Sequence, residues 1–242
     1  MFDIKNAMEA AKAAKEAAEA APNFVFAYRD ENESDAAELY ILQQIGEDFF
    51  SEGVQSQDVI NFLNNNRERD VRVVINSPGG LVYEGLAIYN ALKSHAGFVR
   101  VEIVGQAYSA ASFIAMAGDH IAIHEAADIG IHLAHGMYAG NQYGFHAIGD
   151  YLETIDEHLT GIYEARTGQS REDIRAQLLG KDQGVTGSVM RASQALELGY
   201  VDEIIANKHK KKKYAKKANA VAKKRIAAQH ALQILKLKER CA

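Results

Sequence analysis

Two short motifs in the first half of the chain could together form a nucleophilic site. The first, SPGG at residues 77–80, follows a run of mostly β-branched residues at 71–76 that predicts a buried strand. The second, GQAYS at residues 105–109, follows a similar run at 99–104 and ends in Ser109. A serine placed after a strand can act as a nucleophile, and a glycine-rich turn leaves backbone N–H groups open to an oxyanion. Taken singly, each motif could equally be a tight turn or a helix cap.

The elements around these motifs predict a fold of the α/β class. The run at 99–104 is followed by a glycine that we expect to end the strand, Gly105. Periodic apolar residues predict helices, and alternating or β-branched runs predict further strands. The helices are expected at residues 56–65, 81–93 and 145–167, and the further strands at 38–43, 120–124 and 129–133. Short successive strand–helix units favour parallel strands joined by right-handed crossovers.

The two motifs in this order resemble the Clp peptidase family, most closely its phage-borne members that act in head (prohead) maturation. In that family an SPGG turn is followed by GxAxS, whose serine is the nucleophile; the matching serine here is Ser109. The resemblance covers residues 37–205 and implies a Clp/crotonase-like fold of repeated ββα-type units with a mostly parallel sheet. It also implies a serine endopeptidase that needs no cofactor and assembles as a homo-oligomeric ring.

A serine nucleophile needs a general base, and His132 is the preferred candidate among the nine histidines. It lies 23 residues after Ser109, near the end of the predicted strand at 129–133, and precedes a glycine-rich loop. In the Clp pattern the catalytic histidine stands in a (M/I)-H-(Q/N)-P context, and Ile131 and His132 match its first two positions. The chain departs from the pattern after that, since it reads His-Leu-Ala-His without the proline. His135 is the second candidate for the base.

The remaining site residues are implied by the resemblance alone. The Clp pattern has an aspartate shortly before the closing helix, and a gapless alignment puts that position at Gly187, which has no side chain. Asp182, five residues upstream, is therefore the preferred third member. Thr186, or no third member at all, are the alternatives. The backbone N–H groups of Gly80 and Ala110 would form the oxyanion hole.

Other chemistries lack their motifs. GxGxxG, the phosphate-binding loop and HExxH are absent, and no metal site is expected from the spacing of the histidines. The single cysteine, Cys241, excludes an intramolecular disulfide. A Ser–Lys dyad would require a lysine near Ser109, for which Lys93 is a candidate. Two alternatives to the peptidase stay open: a degenerate, non-catalytic capsid or scaffold-associated protein of the same fold, and a crotonase-like acyl-CoA enzyme.

Composition divides the chain into three parts. Residues 1–36 form an alanine-rich helical extension and linker, 37–207 the peptidase domain, and 208–242 a basic tail. The tail has 13 basic residues and one acidic residue, so it carries +12, and the rest carries −17 of the total of −5. This asymmetry favours an acidic capsid or scaffold partner, although a solvated extension is the alternative.

Nucleic acid is a less favoured partner, because the tail has no aromatic residue besides Tyr214. No apolar run is long enough for a membrane span or a signal peptide. We therefore expect the protein in the cytoplasm, either that of a phage host or the interior of a procapsid.

Overall fold

Strands and helices alternate along the chain. The computed structural model describes residues 36–47, 53–181, 186–206 and 211–240, the last with side chains at 214–229. The predicted extension up to residue 35 and Asp182 lie outside the described residues. The elements are β1 (Ala37–Ile41), α1 (Ser56–Asn65), β2 (Val71–Ser77), α2 (Val82–Lys93), β3 (Val99–Tyr108), α3 (Ala110–Ala115), β4 (His120–His124), β5 (Asp128–Ile131), α4 (Gln142–Thr167), α5 (Arg171–Leu179), β6 (Ser188–Arg191), α6 (Ala192–Leu198), β7 (Glu203–Ile205) and α7 (Lys211–Arg240).

The strands of the described chain form one sheet that is parallel except at one pair. β1, β2, β3, β4 and β7 are neighbours in that order, and all four pairs are parallel. The second half of β3 pairs with β5 instead of β4, from Gln106 beside Asp128 to Tyr108 beside Gly130. β6 pairs antiparallel with β5. The predicted α/β fold with a mostly parallel sheet is confirmed.

β3 is longer than the sequence predicts. The expectation that Gly105 ends this strand is wrong, because the strand continues to Tyr108. A Cβ at Gly105 would lie 2.4 Å from Oδ1 of Asn76, so the missing side chain makes room for this carboxamide from β2. The same oxygen accepts a hydrogen bond from the Gln106 N–H at 3.1 Å. The extra length carries β3 directly to Ser109.

The main core lies on one face of the first strands, and charged residues occupy the other. Ile88 of α2 and Phe113 of α3 belong to the same buried cluster as the inward side chains of β1 to β4. On the opposite face Arg72 of β2 lies between Glu38 of β1 and Glu102 of β3 and forms an ion pair with each. This division follows from the alternation of side chains along a strand.

α7 packs on the body of the protein. The Arg225 Nη1 atom lies 3.0 Å from an Asp202 carboxylate oxygen, and Lys217 Nζ lies 3.0 Å from an oxygen of Glu197. Gln229 donates a hydrogen bond of 2.9 Å to a backbone carbonyl of α4. Residues 214–229 are therefore not a solvated extension, because their side chains contact the body. No helix within the described segments, α7 included, combines the length and the apolarity that a membrane crossing requires.

Candidate active site

Ser109 is the single residue between β3 and α3. Its N–H donates a hydrogen bond of 2.9 Å to the Gly130 carbonyl, so the pairing of β3 with β5 continues up to the serine itself. With φ of 52° and ψ of −124°, it is the only non-glycine residue in the described segments with a positive φ. Such a backbone costs about 1–3 kcal/mol and occurs mostly at functional sites. A sharp strand-to-helix turn of this kind exposes the hydroxyl of a nucleophile.

Ser112 and Tyr163 support this turn from the protein interior. The Ser112 N–H and hydroxyl both donate to the Ser109 carbonyl, at 2.9 and 2.6 Å. Because the Ser112 hydroxyl is used as a donor, it accepts from the Tyr163 hydroxyl, 2.7 Å away. Burial raises the pKa of Tyr163, which keeps the phenol protonated. No spacing pattern in the sequence indicated this pair, which joins α3 to α4.

The SPGG turn lies against the serine. A Cβ on Gly79 would lie 2.6 Å from the Ser109 Cβ and 2.8 Å from the Ala110 nitrogen. Gly79 also has a φ of 94°, which an L-residue with a side chain adopts only under strain. The first glycine of the pair is thus required for the close approach of the two motifs.

The N–H groups of Gly80 and Ala110 are open to a ligand as far as the described segments show. The Gly79 carbonyl accepts from the Ile45 N–H, and the Leu81 N–H donates to the Ile45 carbonyl, both at 2.8 Å. Since successive peptide groups of an extended chain point to opposite sides, the Gly80 N–H points away from Ile45, towards the β3 side. Ala110 begins α3, where N–H groups lack an intrahelical partner. Neither N–H donates a hydrogen bond within the described segments.

His132 directly follows β5. Its Nδ1 atom lies 2.7 Å from the Leu133 carbonyl oxygen. A carbonyl can only accept, so Nδ1 carries the proton and Nε2 keeps a free lone pair. This is the tautomer that a general base requires. The His135 ring stacks on His132 with 4.8 Å between the ring centroids and an interplanar angle of 32°.

The position that the Clp pattern assigns to the third member lies beside His132. A Cβ on Gly187 would lie 2.0 Å from the Ile131 carbonyl oxygen and 2.7 Å from the His132 Cβ, so no side chain fits there. Thr186 is exposed, and Asp182 lies outside the described residues. Among the residues that the structure describes, no carboxylate forms a hydrogen bond with the His132 ring.

The predicted nucleophile, base and one oxyanion donor line a common cavity of about 70 Å³. Its walls are formed by Gly80, Val82, Ser109, Phe113, His132, Ala134, His135, Leu159 and Tyr163. Two larger clefts, of about 260 Å³ beside Arg166 and about 360 Å³ between α1 and α2, contain neither Ser109 nor His132. The small cavity is therefore distinguished by the groups that line it and not by its size.

Asp156 of α4, which the sequence did not single out, lies behind the histidine loop. It is 5% exposed, and its Oδ1 atom accepts a hydrogen bond of 2.7 Å from the Ala134 N–H. Burial raises the pKa of this carboxyl, although the Ala134 N–H, Arg175 and His132 all act in the opposite direction. The sequence feature that could have pointed to a buried Asp156 is its place next to Ile155, within the apolar stripe of the predicted helix at 145–167.

Comparison with known families agrees with this fold. The family model for Clp protease matches residues 34–208 of the chain. The chain belongs to the Clp protease family. The matched range includes every element from β1 to β7, and with them Ser109, His132 and the SPGG turn. The expectation of a peptidase is thereby confirmed at the level of the family. Within the described segments no group of three or more potential metal ligands is arranged to hold an ion.

Proposed function

We propose that this member of the Clp protease family is a serine endopeptidase whose nucleophile is Ser109 and whose general base is His132. The observation that carries the proposal is the strained backbone of Ser109 beside a cavity that His132 also lines. Backbone strain at this residue lowers the stability of the protein, and a catalytic role would explain why the strain is retained.

The reaction would follow the usual course of acyl transfer. The Ser109 Oγ atom attacks the carbonyl carbon of the peptide bond while Nε2 of His132 takes the hydroxyl proton. The substrate oxygen then bears a negative charge, to which the N–H groups of Gly80 and Ala110 donate; losing one such donor typically costs about 10² to 10³ in turnover. The imidazolium protonates the leaving amine, and a water molecule, deprotonated in turn by His132, hydrolyses the acyl-enzyme and restores Ser109.

Asp182 stays our proposed third member, with Thr186, or no third member at all, as the alternatives. If Asp182 orients His132, Asp182→Asn should lower kcat by orders of magnitude with little change in KM. A change of less than a few-fold would leave the orientation of the ring to the Leu133 carbonyl, which already selects the required tautomer.

Labelling with a fluorophosphonate probe, followed by peptide mapping, tests the proposal. The probe should modify Ser109 in the wild type and nothing in Ser109→Ala. His132→Ala should slow the labelling by roughly 10⁴- to 10⁶-fold, because base and nucleophile act as a unit. His158→Ala, which removes an exposed histidine of α4 outside the cavity, is the matched control and should react like the wild type.

Failure of the wild type to label or to cleave peptides would refute the peptidase proposal. It would favour the degenerate capsid or scaffold-associated protein, an alternative supported by the lack of a carboxylate on His132 among the described residues. The crotonase-like alternative is less well supported, since neither Ser109 nor His132 would be needed and the family match is to proteases.

We propose further that the enzyme forms a homo-oligomeric ring and acts in phage capsid or scaffold maturation. The support is the resemblance of the two motifs to phage-borne members of the family and the +12 tail on a −17 body. Lys216, Lys223 and Lys224 are exposed on α7 and are available to an acidic partner. Its site of action would then be the host cytoplasm or the procapsid.

Pull-downs from co-expressing cells at two ionic strengths would test the partner. Each reversal Lys216→Glu, Lys223→Glu or Lys224→Glu should weaken the association at low salt and matter less at high salt. Lys181→Glu, the same change at an exposed position outside α7, is the control. Equal effects of all four reversals would contradict a docking role of the tail.

A further inference from the structure

Asp156 is a buried charge without a role in the reaction as written above. It is the only acidic or basic residue in the described segments that is as little as 5% exposed. Burying a carboxylate is costly unless the charge is compensated. The groups that compensate this charge therefore indicate the role of Asp156.

The first of these groups belongs to the histidine loop, residues 132–135. Asp156 Oδ1 accepts from the Ala134 N–H at 2.7 Å, which ties the loop to α4 two residues after His132. Proline, which the Clp pattern has at this position, would offer no N–H. A loop that lacks the proline ring is thus held by a hydrogen bond to a charged acceptor, which is stronger than one to a neutral acceptor.

The second group is His132 itself. The charged neighbours of Asp156 are His132 from the loop, Arg175 from α5 and Glu153 from its own helix. Arg175 already lies 2.9 Å from Glu153 and 3.1 Å from Glu157, so its charge is compensated by two other carboxylates. Arg175 and His132 nevertheless both lower the pKa of Asp156, Arg175 more than His132, so an imidazolium at His132 lies within reach of this negative charge.

We propose that Asp156 is a positioning residue, which holds the histidine loop so that His132 faces Ser109 and stabilises the imidazolium that forms during acyl transfer. The inference rests on the proposed serine peptidase function. It does not depend on Asp182, because Asp156 acts through the Ala134 N–H and through space and not through a hydrogen bond to the ring.

The test is the pH dependence of peptide hydrolysis and of fluorophosphonate labelling in Asp156→Asn. The amide oxygen can still accept from the Ala134 N–H, so this variant removes the charge and keeps the anchor. We expect kcat to fall about tenfold with KM nearly unchanged, because the imidazolium that forms during acyl transfer loses a nearby negative charge. For the same reason the acidic limb of the kcat/KM profile should move to lower pH.

Two further variants separate a positioning role from a structural one. Asp156→Glu keeps the charge and should retain the acidic limb of the wild type even if kcat falls. Asp150→Asn makes the same charge change at an exposed position of α4 and should alter neither kcat nor the profile. If Asp156→Asn does not fold, Asp156→Gln takes its place as the neutral variant and is compared with Asp156→Glu, which has the same length.

Each outcome bears on one proposal or on both. The role of Asp156 would be overturned if a folded neutral variant kept the acidic limb of the wild type, or if Asp150→Asn shifted that limb equally. In either case, labelling of Ser109 would still support the peptidase proposal. A wild type that neither labels nor cleaves would overturn both. A shift confined to the neutral variants at Asp156 supports the inference.

Discussion

The strained backbone at Ser109 predicts that two inactive variants will differ in stability. Ser109→Ala keeps a Cβ in the φ 52°, ψ −124° conformation, whereas Ser109→Gly removes it. The strain is worth about 1–3 kcal/mol for a residue with a side chain. Glycine loses more conformational freedom on folding, which offsets about 0.5–1 kcal/mol. We therefore expect Ser109→Gly to exceed Ser109→Ala in free energy of unfolding by about 1 kcal/mol, the difference between the midpoints of these two ranges.

Urea denaturation of both variants at equal protein concentration would measure this difference. In a thermal scan each kcal/mol should appear as about 2–4 °C in Tm for a chain of this size. Ser112, which lies inside α3, provides a control in which the order of the two variants is reversed. There the glycine variant should be less stable than the alanine variant by about 1 kcal/mol. If Ser109→Gly is no more stable than Ser109→Ala, the serine is not strained and the argument from strain to catalysis fails.

Three other expectations concern the surroundings of the site. Burial alone would raise the pKa of Asp202, but Arg166 and other donors outweigh burial and lower this pKa. The stability that Asp202 contributes is therefore present above its unfolded-state pKa and is lost as the pH falls through its folded-state pKa. Urea unfolding from about pH 6 to about pH 2 should show this loss, and Asp202→Asn should flatten it. Tyr163→Phe removes the hydrogen bond to Ser112 and should cost about 0.5–1.5 kcal/mol in urea denaturation and slow Ser109 labelling. Light scattering at micromolar concentration should show an assembly, and a monomer at all concentrations would contradict the proposed ring.

The convergence of Ser109 and His132 could be predicted because it depends on local patterns. β-branched runs and helical spacing predicted α1 and β4 with the bounds that the structure has, and β2 to within one residue. Parallel strands end at the same edge of a sheet, so residues that follow two neighbouring strands come together. β3 and β5 are such neighbours, and one candidate follows each of them.

The supporting residues could not be predicted, because their roles depend on tertiary contacts. Asp156 is a polar residue at a helical position that spacing alone would assign to the helix surface or the stripe edge. Its acceptor role appears only when the Ala134 N–H is placed above α4. Likewise, Gly105 predicts the end of β3 from the sequence alone. The strand continues because the side chain of Asn76 in the neighbouring strand occupies the space that a Gly105 side chain would need. Such contacts join segments far apart in sequence and leave no periodic signal.

The opposite charges of body and tail are partly compensated within the chain itself. Arg225 of α7 joins Arg166 at the carboxylate of Asp202, which also accepts from the Ile121 N–H at 2.8 Å. A partner that pulled α7 away would deprive a largely buried carboxylate of one of its two cations, and removing a partner from a buried charge is strongly destabilising. A partner that binds the outward lysines of α7 breaks no such contact. We therefore expect an acidic partner to bind the exposed side of α7 while the helix stays on the body.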